Sequence, residues 1–301
     1  MRVVFMGTPS FACPSLEALQ EANYEILGVF TQPDKPARRG QKLTAPPVKE
    51  LALERHLPVY QPQSLSDEGV IAQIKALAPD IIIVVAYGKL LPQEVLDIAP
   101  YGAINVHGSI LPKYRGAAPI QWAVLNGETK TGITIMQMDK GLDTGDMLSV
   151  WETDILAQET AGELFERLSV QGAKCLIETL EQIKAGQLSP VPQDDSRSSY
   201  APQLRKEDSA VNWAKSAQEI HNQIRGLNPW PMATGEVAGR GFKFHKARVG
   251  ERKGAPGQVL QADKHGIEVA CGQGSVCIEI LQAAGKRAMT AEEYLRGNPI
   301  E

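Results

Sequence analysis

A doubly wound, open α/β sheet followed by a small OB-like β-barrel is the fold class that these 301 residues predict. Three observations carry it. The first half alternates short β-branched runs with amphipathic helical stretches, the texture of a layered α/β domain. Those runs are continuously apolar, which marks strands buried on both faces and therefore parallel. Beyond residue 203 the pattern becomes one helix and several short, Gly-punctuated strands at close spacing, as in a small barrel.

The elements follow in order. RVVFM (2–6) is a strand, a helix is expected around 10–22, and EILGVF (25–30) is the next strand. Helices near 46–55 and 67–77 precede DIIIVVA (80–86), and the strands AINVH (103–107) and ITIMQM (133–138) come after it. A long helix fits 160–186, where Leu164, Leu168, Cys175, Leu176, Leu180 and Ile183 keep helical spacing. SPVPQDDSRSSYAPQ (189–203) has the Pro, Ser and Asp content of a linker. A helix over 216–227 and the runs KFHKARV, GQVLQA, GIEVA and SVCIEIL complete the chain. The expected organisation is an α/β domain over 1–189, a linker over 190–208 and the barrel over 209–301.

Composition narrows the class. The net charge of -4 argues against a surface that coats nucleic acid wholesale, while leaving room for a local basic patch. Cys13, Cys175, Cys271 and Cys277 are scattered without a CxxC pair, so a reduced, cytoplasmic protein without a disulfide framework or zinc knuckle is expected. The N-terminus enters a strand-like run at once, without signal-peptide architecture. IIIVVA (81–86) is far too short to span a bilayer. A monomer is expected.

Gly7-Thr8-Pro9 lies where a dinucleotide-binding glycine fingerprint would sit, but GxGxxG is absent and Pro9 removes an amide donor. A tight strand-to-helix turn fits better. At the end of AINVH, Asn105 and His107 are spaced i and i+2, which puts both on one face of an extended segment. An amide can donate to a developing oxyanion, and an imidazole can move a proton near neutral pH. Gly108 lets a ligand approach the backbone, and the loop Ser109 to Pro112 stiffens the rim. MDKGLDTGD (138–146) carries Asp139, Asp143 and Asp146 after a buried strand. Its spacing is wrong for an EF-hand. One of these carboxylates beside His107 would favour and orient the imidazolium, and spacing does not say which.

Two basic regions stand out. The loop TQPDKPARRGQKLTAPPVK (31–49) holds Lys35, Arg38, Arg39, Lys42 and Lys49 against Asp34, at the carboxyl end of the second strand. So long a basic insertion there is awkward unless something acidic docks. Arg240, Lys243, Lys246 and Arg248 lie on a strand where Phe242 and Phe244 alternate with lysines, which would give a barrel one positive side.

Together NVHGSILPKYRG, MDKGLDTGD, FTQPDKPARRGQKL and QIRGLNPWP resemble the methionyl-tRNA formyltransferase family, and the likeness runs from VVFMGTPSFA (3–12) to the barrel-like end. Asn-x-His-x-Ser with a downstream Asp-x-Gly marks the wider folate-dependent formyltransferase group, which includes glycinamide ribonucleotide transformylase. The resemblance implies formyl transfer from 10-formyltetrahydrofolate, as co-substrate, to the α-amine of methionyl-initiator tRNA, without a metal. It implies a Rossmann-like formyltransferase domain over 1–189 and a tRNA-binding domain over 209–301. It places Asn105, His107 and Asp143 as the catalytic trio. Ser109, Ile110, Leu111 and Pro112 match the folate loop, with Ile110 a departure from leucine, and Tyr87 and Gly88 match the edge of the folate pocket. It sends the 31–49 loop to the acceptor end of the tRNA, where Arg39 matches an arginine that helps read the unpaired end. Lys35 stands for an arginine of some relatives and Arg38 for a frequent glycine. A formyltransferase for a small amine and a formyltetrahydrofolate hydrolase share the trio and stay open as alternatives.

Overall fold

The computed structural model describes residues 1–37 and 42–300, so Arg38 and Arg39 lie outside the described residues, and of Lys42 only the backbone is described. The chain forms two compact units. The first is Met1–Ala117, Thr131–Thr153 and Phe165–Ala201; the second is Ala118–Lys130, Asp154–Leu164 and the residues from Pro202 onward.

In the first unit, β1 (Arg2–Gly7), β2 (Glu25–Phe30), β5 (Val59–Tyr60), β6 (Ile81–Val85), β7 (Ala103–His107), β9 (Lys130–Gln137) and β10 (Met147–Asp154) make one sheet in the order β10-β9-β7-β6-β1-β2-β5. The pairs β1–β2, β1–β6, β2–β5 and β6–β7 are parallel, as the apolar runs imply. All five residues of β6 are buried, and a fully buried Ile or Val contributes about 1.5–3 kcal/mol. Val4, Met6, Ile82 and Val84 share one cluster with Ile74, Val95 and Leu96. The latter three come from α3 (Glu68–Leu77) and α4 (Gln93–Leu96). Pro14 opens α1 (Cys13–Glu21), and Asp67 caps α3 by accepting from the Gly69 and Val70 amides at 2.8 and 3.3 Å. A short antiparallel hairpin, β3 (Lys35–Ala37) and β4 (Lys42–Thr44), precedes α2 (Pro47–Glu54).

One expectation needs correction. The run around ITIMQM reads as another parallel strand, yet β9 is antiparallel to β7, with Ile104 opposite Gln137 and His107 opposite Thr134. The reason lies in the connection. Residues 118–130, including α5 (Pro119–Leu125), pack in the second unit instead of crossing back over the sheet, and only a crossover would force a parallel return. The edge strand β10, which no sequence signal announced, completes that side. Linker composition notwithstanding, 190–201 is built into the first unit. Val191 exchanges backbone hydrogen bonds with Met147 at 2.9 Å each way, and β11 (Tyr200–Ala201) pairs with β8 (Arg115–Gly116). The long helix α6 spans Ala161–Ala185.

The second unit, expected as an OB-like β-barrel, is an antiparallel β domain. β12 (Ala233–Val237), β13 (Arg240–Gly250), β14 (Val259–Asp263), β15 (Gly266–Ala270) and β16 (Ser275–Ala283) pair in the order β12-β13-β16-β15-β14, and β17 (Met289–Thr290) adds to β16. α7 (Ala217–Gly226) begins with a capping box between Ser216 and Glu219. Its Ile220 and Ile224 join Phe244, Val269, Val276 and Ile278 in one core, against which Trp122 and Leu125 of α5 also pack. A second capping box, Thr290 with Glu293, starts α8 (Ala291–Leu295). Among the described residues no helix is long and apolar enough to cross a membrane.

Candidate active site

The register of the parallel strands locates the site. Asn105 is level with Val84 and Gly7 with Val85, so His107 projects past the carboxyl ends of β1 and β6, the place where open α/β sheets bind ligands. His107 is buried, 5% exposed in its side chain, and Asp143 of the β9–β10 loop is 14% exposed. Asp143 Oδ2 lies 3.7 Å from His107 Nδ1 and accepts the Gly116 amide at 2.8 Å. On the other side of the ring, Nε2 lies 3.0 Å from the Tyr114 carbonyl. The half-buried Asn105 makes no side-chain hydrogen bond among the described residues, so its amide is uncommitted. The site thus holds a free amide donor and an imidazole with one nitrogen anchored and the other facing a carboxylate.

One of the three aspartates of this loop lies beside His107. Asp139 spends its carboxylate inside the loop, accepting from the Gly141 amide at 2.9 Å and the Thr144 hydroxyl at 2.7 Å. Asp146 is exposed. Asp143 alone of the three is paired with His107.

The loop after His107 is held from within. The buried Ser109 hydroxyl donates to the Lys113 carbonyl at 2.7 Å, while Thr134 donates to the Ser109 carbonyl at 2.7 Å and accepts the Leu111 amide at 3.1 Å. Ser109 and Leu111 therefore shape this loop from inside, while Ile110 is partly exposed. The Leu111–Pro112 peptide is cis. At the end of β6, Tyr87 is fully buried with no hydrogen-bond partner for its hydroxyl among the described residues, and burial pushes that phenol up to about 12. Its carbonyl accepts from the Thr8 hydroxyl at 3.0 Å and the Gln32 side-chain amide at 3.2 Å. Gly88 beside it is exposed and has φ +81, a conformation suited to glycine.

The described basic residues fall on separate elements. Lys35 is exposed on β3. Lys49 is neutralised by Asp34 at 2.8 Å. On β13, Lys243, Lys246 and Arg248 point outward while Phe242, Phe244 and Ala247 are buried, and an irregularity near His245 keeps both sets on their faces. Lys246 and Arg248 share Glu279 at 3.7 and 3.4 Å, and Arg240 reaches the Tyr294 hydroxyl at 3.4 Å. The site also uses residues that pattern reading left without a role. Tyr114 acts through its carbonyl, Gly116 through its amide and Arg115 through Gln193 and Asp195.

Comparison with known proteins identifies the family. Residues 1–180 match the formyl transferase family and 203–299 match the formyl transferase C-terminal domain. A methionyl-tRNA formyltransferase of Trichlorobacter lovleyi is 50% identical over 99% of this chain and 95% of its own length. One of Clostridium novyi is 51% identical over 100% of this chain and 98% of its own. Among solved structures, an N-formyltransferase from Helicobacter canadensis, in complex with folinic acid and dTDP-3-aminofucose, matches with a TM-score of 0.68. It is 18% identical, over 92% of this chain and 98% of its own, and so supports the fold. The chain belongs to the methionyl-tRNA formyltransferase family.

Proposed function

We propose that this enzyme transfers the formyl group of 10-formyltetrahydrofolate to the α-amine of methionine carried by initiator tRNA, in the cytoplasm and as a monomer. The observation that carries this reading is the His107–Asp143 pair beside the uncommitted Asn105 amide, in a chain 50% identical along its length to a protein named for that reaction.

The chemistry follows from the geometry. The amine nitrogen attacks the formyl carbon, a new C–N bond forms, and the carbonyl oxygen becomes an oxyanion. Asn105 donates to that oxygen. Because Nε2 is occupied by the Tyr114 carbonyl, Nδ1 is the ring nitrogen that exchanges a proton. When Nδ1 is protonated, the imidazolium faces Asp143, and the 3.7 Å gap is wider than a hydrogen bond. The amine loses one proton, N10 of the folate gains one, and the C–N10 bond breaks. The 109–112 loop, Gly88 and Tyr87 form the folate side in this reading. Tyr87 fits it as a buried polar group whose hydroxyl has no partner among the described residues. Lys35, Arg38, Arg39 and Lys42, together with Arg240, Lys243, Lys246 and Arg248, serve tRNA binding, with Arg39 helping to read the unpaired end.

The test is a formyl-transfer assay with 10-formyltetrahydrofolate and three acceptors: methionyl-initiator tRNA, methionyl-elongator tRNA and free methionine. Efficient transfer to the first alone is expected. Equal activity on free methionine, or rapid deformylation of the folate without an acceptor, would overturn the assignment.

A further inference from the structure

We infer that Gln193 is a positioning residue for this reaction, clamping the two loops that bear on His107 into one geometry; the inference rests on the function proposed above. Gln193 lies in a stretch of linker-like composition, yet its side chain is half-buried and its amide is fully used. Oε1 accepts both Nε and Nη2 of Arg115, at 3.0 and 2.8 Å. Nε2 donates to the Asp143 carbonyl at 2.9 Å and to the Gly145 carbonyl at 2.7 Å. A guanidinium only donates and a carbonyl only accepts, so the orientation of this amide is forced and both of its ends are spent.

The two loops it joins are the ones the site depends on. Arg115 follows Tyr114, whose carbonyl anchors His107 Nε2, and precedes Gly116, whose amide holds Asp143. Asp143 and Tyr114 are both non-glycine residues in the left-handed region, with φ of 54 and 61. Such conformations persist where surrounding contacts over-determine them. Here the same segment supplies those contacts. Gln193 takes the Asp143 carbonyl, and the Ser199 hydroxyl takes the Tyr114 amide at 2.9 Å. Asp195 accepts from the same Nη2 of Arg115 at 2.6 Å. Without the Gln193 bridge, the two loops keep one direct tie, the Gly116 amide on the Asp143 carboxylate, and lose the second that fixes their angle.

Two variants test this in the full-length enzyme. Gln193→Met keeps the volume and removes every hydrogen bond. Gln193→Glu keeps an acceptor for Arg115 and turns carboxylate oxygens toward two carbonyls. Both should fold, since the residue sits in a half-buried edge segment. The expected result is a kcat lower by about 10- to 100-fold, the scale of a small misplacement of catalytic groups, with KM for folate and tRNA unchanged. The His107 imidazole nitrogen signals, identified by their loss in His107→Gln, should shift in the free variants while those of the other histidines stay. Wild-type kcat, or a reduced kcat with unmoved His107 signals, would overturn the inference, as would loss of the fold in both variants. The spectroscopic readout needs no substrate, so an inactive wild-type enzyme would overturn the proposed reaction while leaving this assignment to stand or fall separately.

Discussion

His107 Nε2 lies 3.0 Å from the Tyr114 carbonyl, and because a carbonyl only accepts, this contact fixes the tautomer of the neutral ring. In the neutral ring Nδ1 then carries the lone pair, and it faces Asp143. The backbone of one loop thereby sets which ring nitrogen keeps its proton.

Asn105 and His107 should separate in their kinetic effects. Asn105→Ala removes one oxyanion donor and is expected to lower kcat by about 10²–10³-fold with substrate binding retained. His107→Gln should abolish transfer while titration calorimetry still detects the folate. A His107→Gln enzyme that lost only affinity would contradict the role given to the ring.

Gly116 has φ +116, and a Cβ there would sit 2.6 Å from the Tyr200 ring and 2.8 Å from the Ala201 carbonyl. Gly116→Ala should therefore spread β8 from β11 and move the amide that holds Asp143. A stability loss of roughly 1–3 kcal/mol is expected in urea unfolding, together with a fall in kcat. Wild-type behaviour in both measurements would mean that the pairing of β8 with β11 is not needed.

At the root of the basic loop, Asp34 is held by Lys49 at 2.8 Å and by the Gln61 amide at 2.8 Å. Its carboxyl is lowered below the usual aspartate value, first by the Lys49 hydrogen bond and then by that of Gln61. A depressed carboxylate contributes stability that is present above its unfolded pKa of about 3.9 and is lost as pH falls through the lower, folded value. Asp34→Asn should thus be less stable than wild type at neutral pH, and the difference should shrink as the pH drops below about 4. Urea midpoints measured across that range check it; a difference that grows on acidification would reverse the sign.

Much of this was legible in the sequence. Continuous apolar runs gave the parallel strands, and the i, i+2 spacing put Asn105 and His107 together at a strand end. What stayed hidden depends on contacts between residues far apart in the chain. Nothing local in SPVPQDDSRSSYAPQ tells that Gln193 meets Arg115 and Asp143, because turn-forming residues look alike whether water or a loop satisfies them. The antiparallel run of β9 was hidden for a similar reason. A helix between two strands reads as a crossover, and where α5 packs is decided by Ile220, Ile224 and their neighbours about a hundred residues later.

The chain passes from the first unit to the second and back twice before leaving it for good after Ala201. Neither unit is therefore a contiguous stretch that a single cut could release. As the protein is synthesised, the first unit waits for Gln193 to Ala201 to seal its site loops, while α5 emerges long before the core it joins. Trp122 and Leu125 must spend that interval without their partners, so the vulnerable species on the ribosome has a finished sheet and a helix still waiting for its core. Interleaving of this kind couples the order of synthesis to the completion of the active site.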